Sequence, residues 1–195
     1  MGEKIEERKR GKRWDIRFFA VCLIVFFAGI VIDLATKAWA EYYFTQDSSP
    51  SYIVVIPGFL NLTLTYNSGM AFSMFSDNGT VMDVITWLTV PLIIFLLGVA
   101  FALPDTFRPH RIFVSLVAAG AFGNFIDRVV IAQGVRDFMD ISSIGFGVCN
   151  FADYFITVGG VLLLLCLLFV GEDSVFPLIG RKKKKKDGKE NGQGS

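Results

Sequence analysis

Asp33 and Lys37 stand four residues apart, Asn124, Asp127 and Arg128 stand at i, i+3 and i+4, and Asn150 and Asp153 stand three apart. On a helix each of these sets shares one face. Asp137 and Asp140 lie between the second and third sets. Carboxylates are the well-supplied catalytic groups, because Ser142 and Ser143 have no plausible base beside them. The sole histidine, His110, falls between Pro109 and Arg111 in what reads as a charged connection, away from Cys22, Cys149 and Cys166. A Cys/His pair is therefore not expected, and three cysteines without a CxxC fit neither a disulfide framework nor a zinc site. Two carboxylates held close in a poorly solvated site tend to share one proton. One can then act as general base on a water while the other donates to a scissile carbonyl. Spacing alone does not select the two among Asp33, Asp127, Asp137, Asp140 and Asp153.

The elements that must position these residues are apolar. Hydrophobic residues make up 53% of the 195-residue chain and charged ones 19%, which excludes an ordinary soluble domain and a disordered chain. Apolar stretches at 18–32, 84–103, 112–126 and 154–170 predict four membrane-spanning helices, the shorter ones reaching ~20 residues by taking in polar residues at one end. The first continues into Asp33 and Lys37 without a small-x-small cleavage site and reads as a permanent anchor. The expected fold is an all-α membrane protein. A small β element is placed in the first outer connection, where a β-branched run at 52–56, the turn Pro57-Gly58 and an alternating segment at 59–66 follow one another.

Basic residues set the orientation. Seven lie in 1–17, two in 104–111 and seven from 171 onward, whereas 41–80 has none and 134–150 only Arg136. Both termini are predicted to be cytoplasmic. The net charge of +1 resolves into +7 on the cytoplasmic segments and −6 on the rest. The tail from 172 to 195, with six consecutive basic residues from Arg181 to Lys186, reads as disordered and near anionic lipid.

On this topology the polar sets fall at one depth, near the outer ends of helices 1, 3 and 4. An ionisable side chain at the bilayer centre costs ~2.5 to 3.5 kcal/mol on insertion scales, so such a gathering implies mutual pairing or a wet cavity. Physical chemistry alone leaves a membrane hydrolase and an ion- or proton-conducting protein level. A chain of carboxylates across the bilayer, which conduction needs, is not seen. A non-enzymatic scaffold is a further rival, for which these sets should not matter.

At these residues the sequence resembles the lipoprotein signal peptidases, or type II signal peptidases. The motifs are Asp33-Leu34-Ala35-Thr36-Lys37, Asn67-Ser68-Gly69-Met70-Ala71-Phe72-Ser73, Gly123-Asn124-Phe125-Ile126-Asp127-Arg128, Val135-Arg136-Asp137-Phe138 and Asn150-Phe151-Ala152-Asp153, in family order. The resemblance implies a bacterial inner-membrane aspartyl endopeptidase, cutting prolipoproteins just before the diacylglyceryl-modified Cys. Its partners would be those substrates and membrane lipid, with no nucleic acid, and a monomer needing no metal or organic cofactor is expected. By motif position the catalytic dyad would be Asp137 and Asp153, at the outer face. Asn124, Asp127, Arg128 and Asn150 would surround it, with Asp33 and Lys37 in support, and the β element with Asn67 would form a cradle over the substrate. The domains would be a basic N-terminus (1–17), a membrane peptidase domain (18–171, with the β element at about 41–80) and the tail (172–195).

The chain departs from the family pattern at Met70, where Ala is usual, and at Arg136, where a small apolar residue is usual. A cation at 136 could lower the pKa of Asp137 or point to solvent. Asp140 reads as a loop charge. Asp33 with Lys37 is expected to be a structural pair, Asp127 with Arg128 either an ion pair or a substrate contact. Gly120, Gly123, Gly159 and Gly160 are expected to be helix-packing points, and Trp14, Trp39 and Trp87 interfacial anchors.

Overall fold

The computed structural model describes residues 16–68, 79–103 and 107–170. Helices α1 (Ile16–Phe44), α2 (Gly79–Ala102), α3 (Arg108–Val130) and α4 (Phe151–Phe169) alternate with strands β1 (Ile53–Ile56), β2 (Leu60–Asn67), β3 (Val135–Asp140) and β4 (Val148–Cys149). All four helices are long and apolar enough to cross a membrane. The basic N-terminus before residue 16, Trp14, Met70 with most of its motif, and the tail lie outside the described residues.

α1 extends well past the apolar stretch ending at Ile32. Its 29 residues reach about 43 Å at 1.5 Å per residue, against ~30 Å of hydrocarbon. The surplus carries Asp33, Lys37 and Glu41 along one face and supports the sheet. α3 is central and packs against the other three helices, while α1 barely touches α2. Small residues permit this. Ala118, Ala119 and Ala121 of α3 meet Phe26 and Ile30 of α1 and Ile93 of α2 in one core. A Cβ on Gly120 would strike the Ala152 carbonyl of α4, and one on Gly159 would lie 2.9 Å from Val117 Cγ2. Gly160 does not share this role, since nothing lies within 4 Å of the place its Cβ would occupy.

His110 and Arg111 are not in a connection. Both are within α3 and 2% exposed. Arg111 Nε donates to the Ala100 carbonyl at 2.8 Å, and its guanidinium sits 5.0 Å from the Phe18 ring centroid. Pro109, at the first turn, starts the helix early because its missing N–H is not needed there.

The β structure is larger than the sequence suggests. It is a four-stranded antiparallel sheet in the order β1-β2-β3-β4, so the connection between α3 and α4 supplies two of its strands. A description as all-α with β structure confined to the first connection is thus incomplete. β3 pairs Thr65 with Asp137, Tyr66 with Arg136 and Asn67 with Val135. The turn into β3 needs Gly134, whose φ is +109° and whose Cβ would crowd the Asn67 carbonyl. Phe138 and Met139 pack on Ala40 of α1, with Phe151 and Tyr154 of α4 alongside. The sheet is thereby seated on the ends of α1 and α4.

Candidate active site

Asp33, Asp127 and Lys37 are completely buried side by side. Lys37 Nζ lies 2.7 Å from Asp33 Oδ2 and 3.6 Å from Asp127 Oδ2, and donates to Asn124 Oδ1 at 2.9 Å. The other oxygen of Asp33 accepts from the Ala152 backbone N–H at 2.9 Å, tying α1 to the first turn of α4. A Cβ on Gly123 would occupy the space of the Asp33 carboxylate, so glycine there lets α3 close on this cluster. Asp33 and Lys37 thus form an i, i+4 ion pair.

Asp127 does not pair with Arg128. Its oxygens accept from Arg136, at 3.0 Å from the backbone N–H, 3.2 Å from Nε and 2.6 Å from the terminal nitrogen. Arg136 also reaches Glu41 Oε2 at 2.8 Å, and Tyr66 OH donates to Glu41 Oε1 at 2.9 Å. The extra cation at 136 therefore neither contacts Asp137 nor points to solvent, since successive strand residues face opposite ways. Arg128, half-buried, keeps a buried Nε without a hydrogen-bond partner among the described residues. Glu41, Tyr66 and Arg136 were not singled out as site residues by the sequence. The signal for Glu41 was its place four residues beyond Lys37 on the Asp33 stripe.

Asp137 is 2% exposed. Asn67 Nδ2 donates to one of its oxygens at 3.0 Å and Asn150 Nδ2 to the other at 2.6 Å. Asp153, half-buried, accepts from Asn124 Nδ2 at 2.8 Å and from the Asn150 backbone N–H at 3.2 Å. Asn150 Oδ1 in turn accepts from the Asp153 N–H at 3.0 Å, completing a capping box that starts α4. That bond fixes the orientation of the Asn150 amide and aims its NH2 at Asp137. Two asparagines, 124 and 150, thus lie between the two aspartates and are bonded to each other at 3.1 Å. Burial pushes the Asp137 carboxyl up to about 7, the negative charge of Asp153 adds to this, and the two amide bonds work against it. Asp140 is outside this arrangement. Ser142 caps its Oδ1, holding its carboxyl below the usual range. Among the described residues no three His, Cys, Asp or Glu side chains converge as metal ligands.

Of the residues selected from the sequence, Asp33, Lys37, Asn67, Asn124, Asp127, Asp137, Asn150 and Asp153 form one connected network, and Arg128 sits beside it. Residues 25–169 match the family model of signal peptidase (SPase) II. The chain belongs to the signal peptidase II family. It is 34% identical over 157 residues to lipoprotein signal peptidases of Trichormus variabilis and Pelagibacter ubique, covering 80% of this chain and 92% of each relative. It is 32% identical over 156 residues to that of Streptococcus pyogenes serotype M1, covering 77% and 93%. A solved structure described as a bacterial membrane enzyme superimposes with a TM-score of 0.65 at 29% identity, covering 81% of this chain and 92% of the other. A second gives 0.62 at 29% identity, covering 81% and 97%. Signal peptidase II enzymes are aspartic peptidases that remove the signal peptide from prolipoproteins, and this chain is a multi-pass membrane enzyme of that kind. Membership decides against the ion-conducting and scaffold alternatives.

Proposed function

We propose that Asp137 and Asp153 are the catalytic dyad, cutting immediately before the lipid-modified Cys. The observation that carries this is the amide bridge, in which Asn67, Asn124 and Asn150 hold two carboxylates together, with neutral donors alone among the described residues. Asp137, buried and titrating about 7, holds the proton. Asp153 sits in the first turn of α4, within the capping box that starts the helix. A water between them loses its proton to Asp153 and attacks the scissile carbonyl carbon, while Asp137 gives its proton to the carbonyl oxygen. The tetrahedral diol collapses as Asp137 takes a hydroxyl proton back and Asp153 delivers its proton to the amide nitrogen. The C–N bond breaks, leaving a carboxyl on the signal peptide and a free amine on the Cys. Arg128, whose Nε has no hydrogen-bond partner among the described residues, and Asn67 bind the substrate backbone.

The distribution of basic residues supports an orientation with both termini cytoplasmic and the site at the outer face of the bacterial inner membrane. Exposed Trp39 and Trp87 suit an interfacial belt in contact with lipid. The enzyme acts as a monomer in this reading. The test is cleavage of a diacylated prolipoprotein by Asp137→Asn, Asp153→Asn and Asp140→Asn proteins in membranes. The first two lose turnover while still inserted, and the third keeps it. Turnover by either dyad variant rejects the assignment.

A further inference from the structure

Arg136, the residue before Asp137, is held through both its backbone and its side chain. Its N–H donates to Asp127 of α3 at 3.0 Å and its carbonyl accepts from Asn150 of α4 at 3.4 Å. Its guanidinium grips Asp127 on one side and Glu41 of α1 on the other. These partners fix the backbone immediately before Asp137 to three helices at once.

Glu41 extends the hold to the neighbouring strand. Tyr66 and Arg136 are directly opposite each other on β2 and β3, and so share one face of the sheet. Both converge on the Glu41 carboxylate, one per oxygen. Asp137 and Asn67, the next residues along, fall on the other face and are bonded to each other at 3.0 Å. One carboxylate at the end of α1 therefore anchors both strands that carry dyad-side groups. The pair is well shielded, with the Arg136 side chain 10% exposed and that of Glu41 34%, so it is screened less than an ordinary surface ion pair.

We infer that Glu41 and Arg136 form a clamp that sets the position of Asp137 and Asn67 against Asp153, making both positioning residues for the peptidase. The clamp rests on the dyad assigned above. It acts on geometry, because the guanidinium is directed away from Asp137. A reacting group displaced by about 1 Å can cost ~100-fold in rate, and a strand freed from its anchor also lets water reach Asp137.

The experiment measures kcat, KM and the pH profile for cleavage of a diacylated lipobox peptide by purified Arg136→Met, Arg136→Lys, Glu41→Ala and the Glu41→Ala/Arg136→Met double variant, with thermal midpoints alongside. Arg136→Met is expected to lower kcat about tenfold or more with KM within about twofold. The alkaline limb should move toward acid by about half a unit as Asp137 gains solvation. Arg136→Lys should recover part of both, and the double variant should be no slower than Arg136→Met, because the two residues act as one unit. An unchanged kcat and limb in folded Arg136→Met, or losses that multiply in the double variant, overturn the clamp. So does a fall in kcat with an unmoved limb. Should Arg136→Met fail to fold, Glu41→Ala and Arg136→Lys carry the same test. Asp137→Asn in the same assay separates the two ideas: turnover there rejects the dyad, whereas a dead Asp137→Asn beside a fully active Arg136→Met rejects the clamp alone.

Discussion

The bond from Asn67 to Asp137 makes a prediction whose sign is not obvious. At 3.0 Å the amide N–H is a donor, and a donor favours the carboxylate over the carboxylic acid. Asn67→Ala should therefore raise the Asp137 pKa further above about 7, not lower it. A hydrogen bond to a charged group is worth roughly 1.5 to 3 kcal/mol, and 1.36 kcal/mol is one pH unit, so complete loss gives about one to two units. Asn67 is half-buried, and water entering its place recovers part of this, so the expected shift is about one unit. In the proposed mechanism activity requires the protonated acid. In the wild type that form makes up about half of the enzyme at the apparent pKa and about a tenth one unit above it, so kcat/KM falls roughly tenfold per unit beyond about pH 7. In Asn67→Ala the fall should begin about one unit higher, even though the peak rate drops through loss of a substrate contact. The assay is kcat/KM for a diacylated lipobox peptide between about pH 5 and 9, since this ratio reports the free enzyme. A limb that stays in place, or moves toward acid, refutes the claim that this bond acts on the Asp137 carboxylate.

Other expectations follow from the same contacts. The Asp137 carboxyl is raised on folding, so its stabilising contribution is complete below the unfolded value near 4 and is lost as pH rises through about 7, with an upper limit of about 4 kcal/mol. Asp137→Asn, which mimics the neutral acid, should accordingly raise the thermal midpoint at pH 8 and leave it nearly unchanged at pH 5; equal gains at both pH values would contradict this. Lys37→Met leaves Asp33 and Asp127 buried without their shared cation, at a cost of roughly 3 to 5 kcal/mol, and Asp33→Asn added to it should restore part of the midpoint. Gly120→Ala forces a methyl against the Ala152 carbonyl and should cost roughly 1 to 3 kcal/mol. Gly160→Ala meets nothing and should be neutral or stabilising by up to about 1 kcal/mol in the same melts.

The helices and most of the polar network were legible because both rest on local rules. Apolar length marks a span, and spacings of three and four put Asn124 with Asp127 and Asn150 with Asp153 on common faces. The Asn150-Asp153 spacing even carries the cap that starts α4. β3 was not legible. Val135 to Met139 are buried on both faces, which erases the two-residue alternation, and the partner strand β2 lies some seventy residues earlier in the chain, as the Asn67–Asp137 bond shows. The role of Arg136 was hidden for the same reason, since its direction depends on the strand face it occupies. Asp127 with Arg128 read as either an ion pair or a substrate contact, yet the bonds of Asp127 go to Arg136, which the turn at Gly134 returns to the end of α3.

The allocation of charge across the site explains how the proposed aspartate dyad survives in a cluster rich in acids. The cations go to the acids that build the site: Lys37 to Asp33 and Asp127, Arg136 to Asp127 and Glu41. Among the described residues the hydrogen bonds to Asp137 and Asp153 come from amides and a backbone donor, with Arg128 near both but bonded to neither. A direct ammonium or guanidinium contact would hold Asp137 ionised at neutral pH and deprive the dyad of its proton. Asn124 enforces the separation. Its oxygen takes the Lys37 ammonium at 2.9 Å while its nitrogen faces Asp153 at 2.8 Å, so the cation is kept one amide away from Asp153. Replacing Asn124 with Asp would put a third carboxylate beside Asp153, and with Leu it would leave both Lys37 and Asp153 short of a partner. An amide is the group that can accept on one side and donate on the other without adding charge, which is why the dyad is bridged by asparagines.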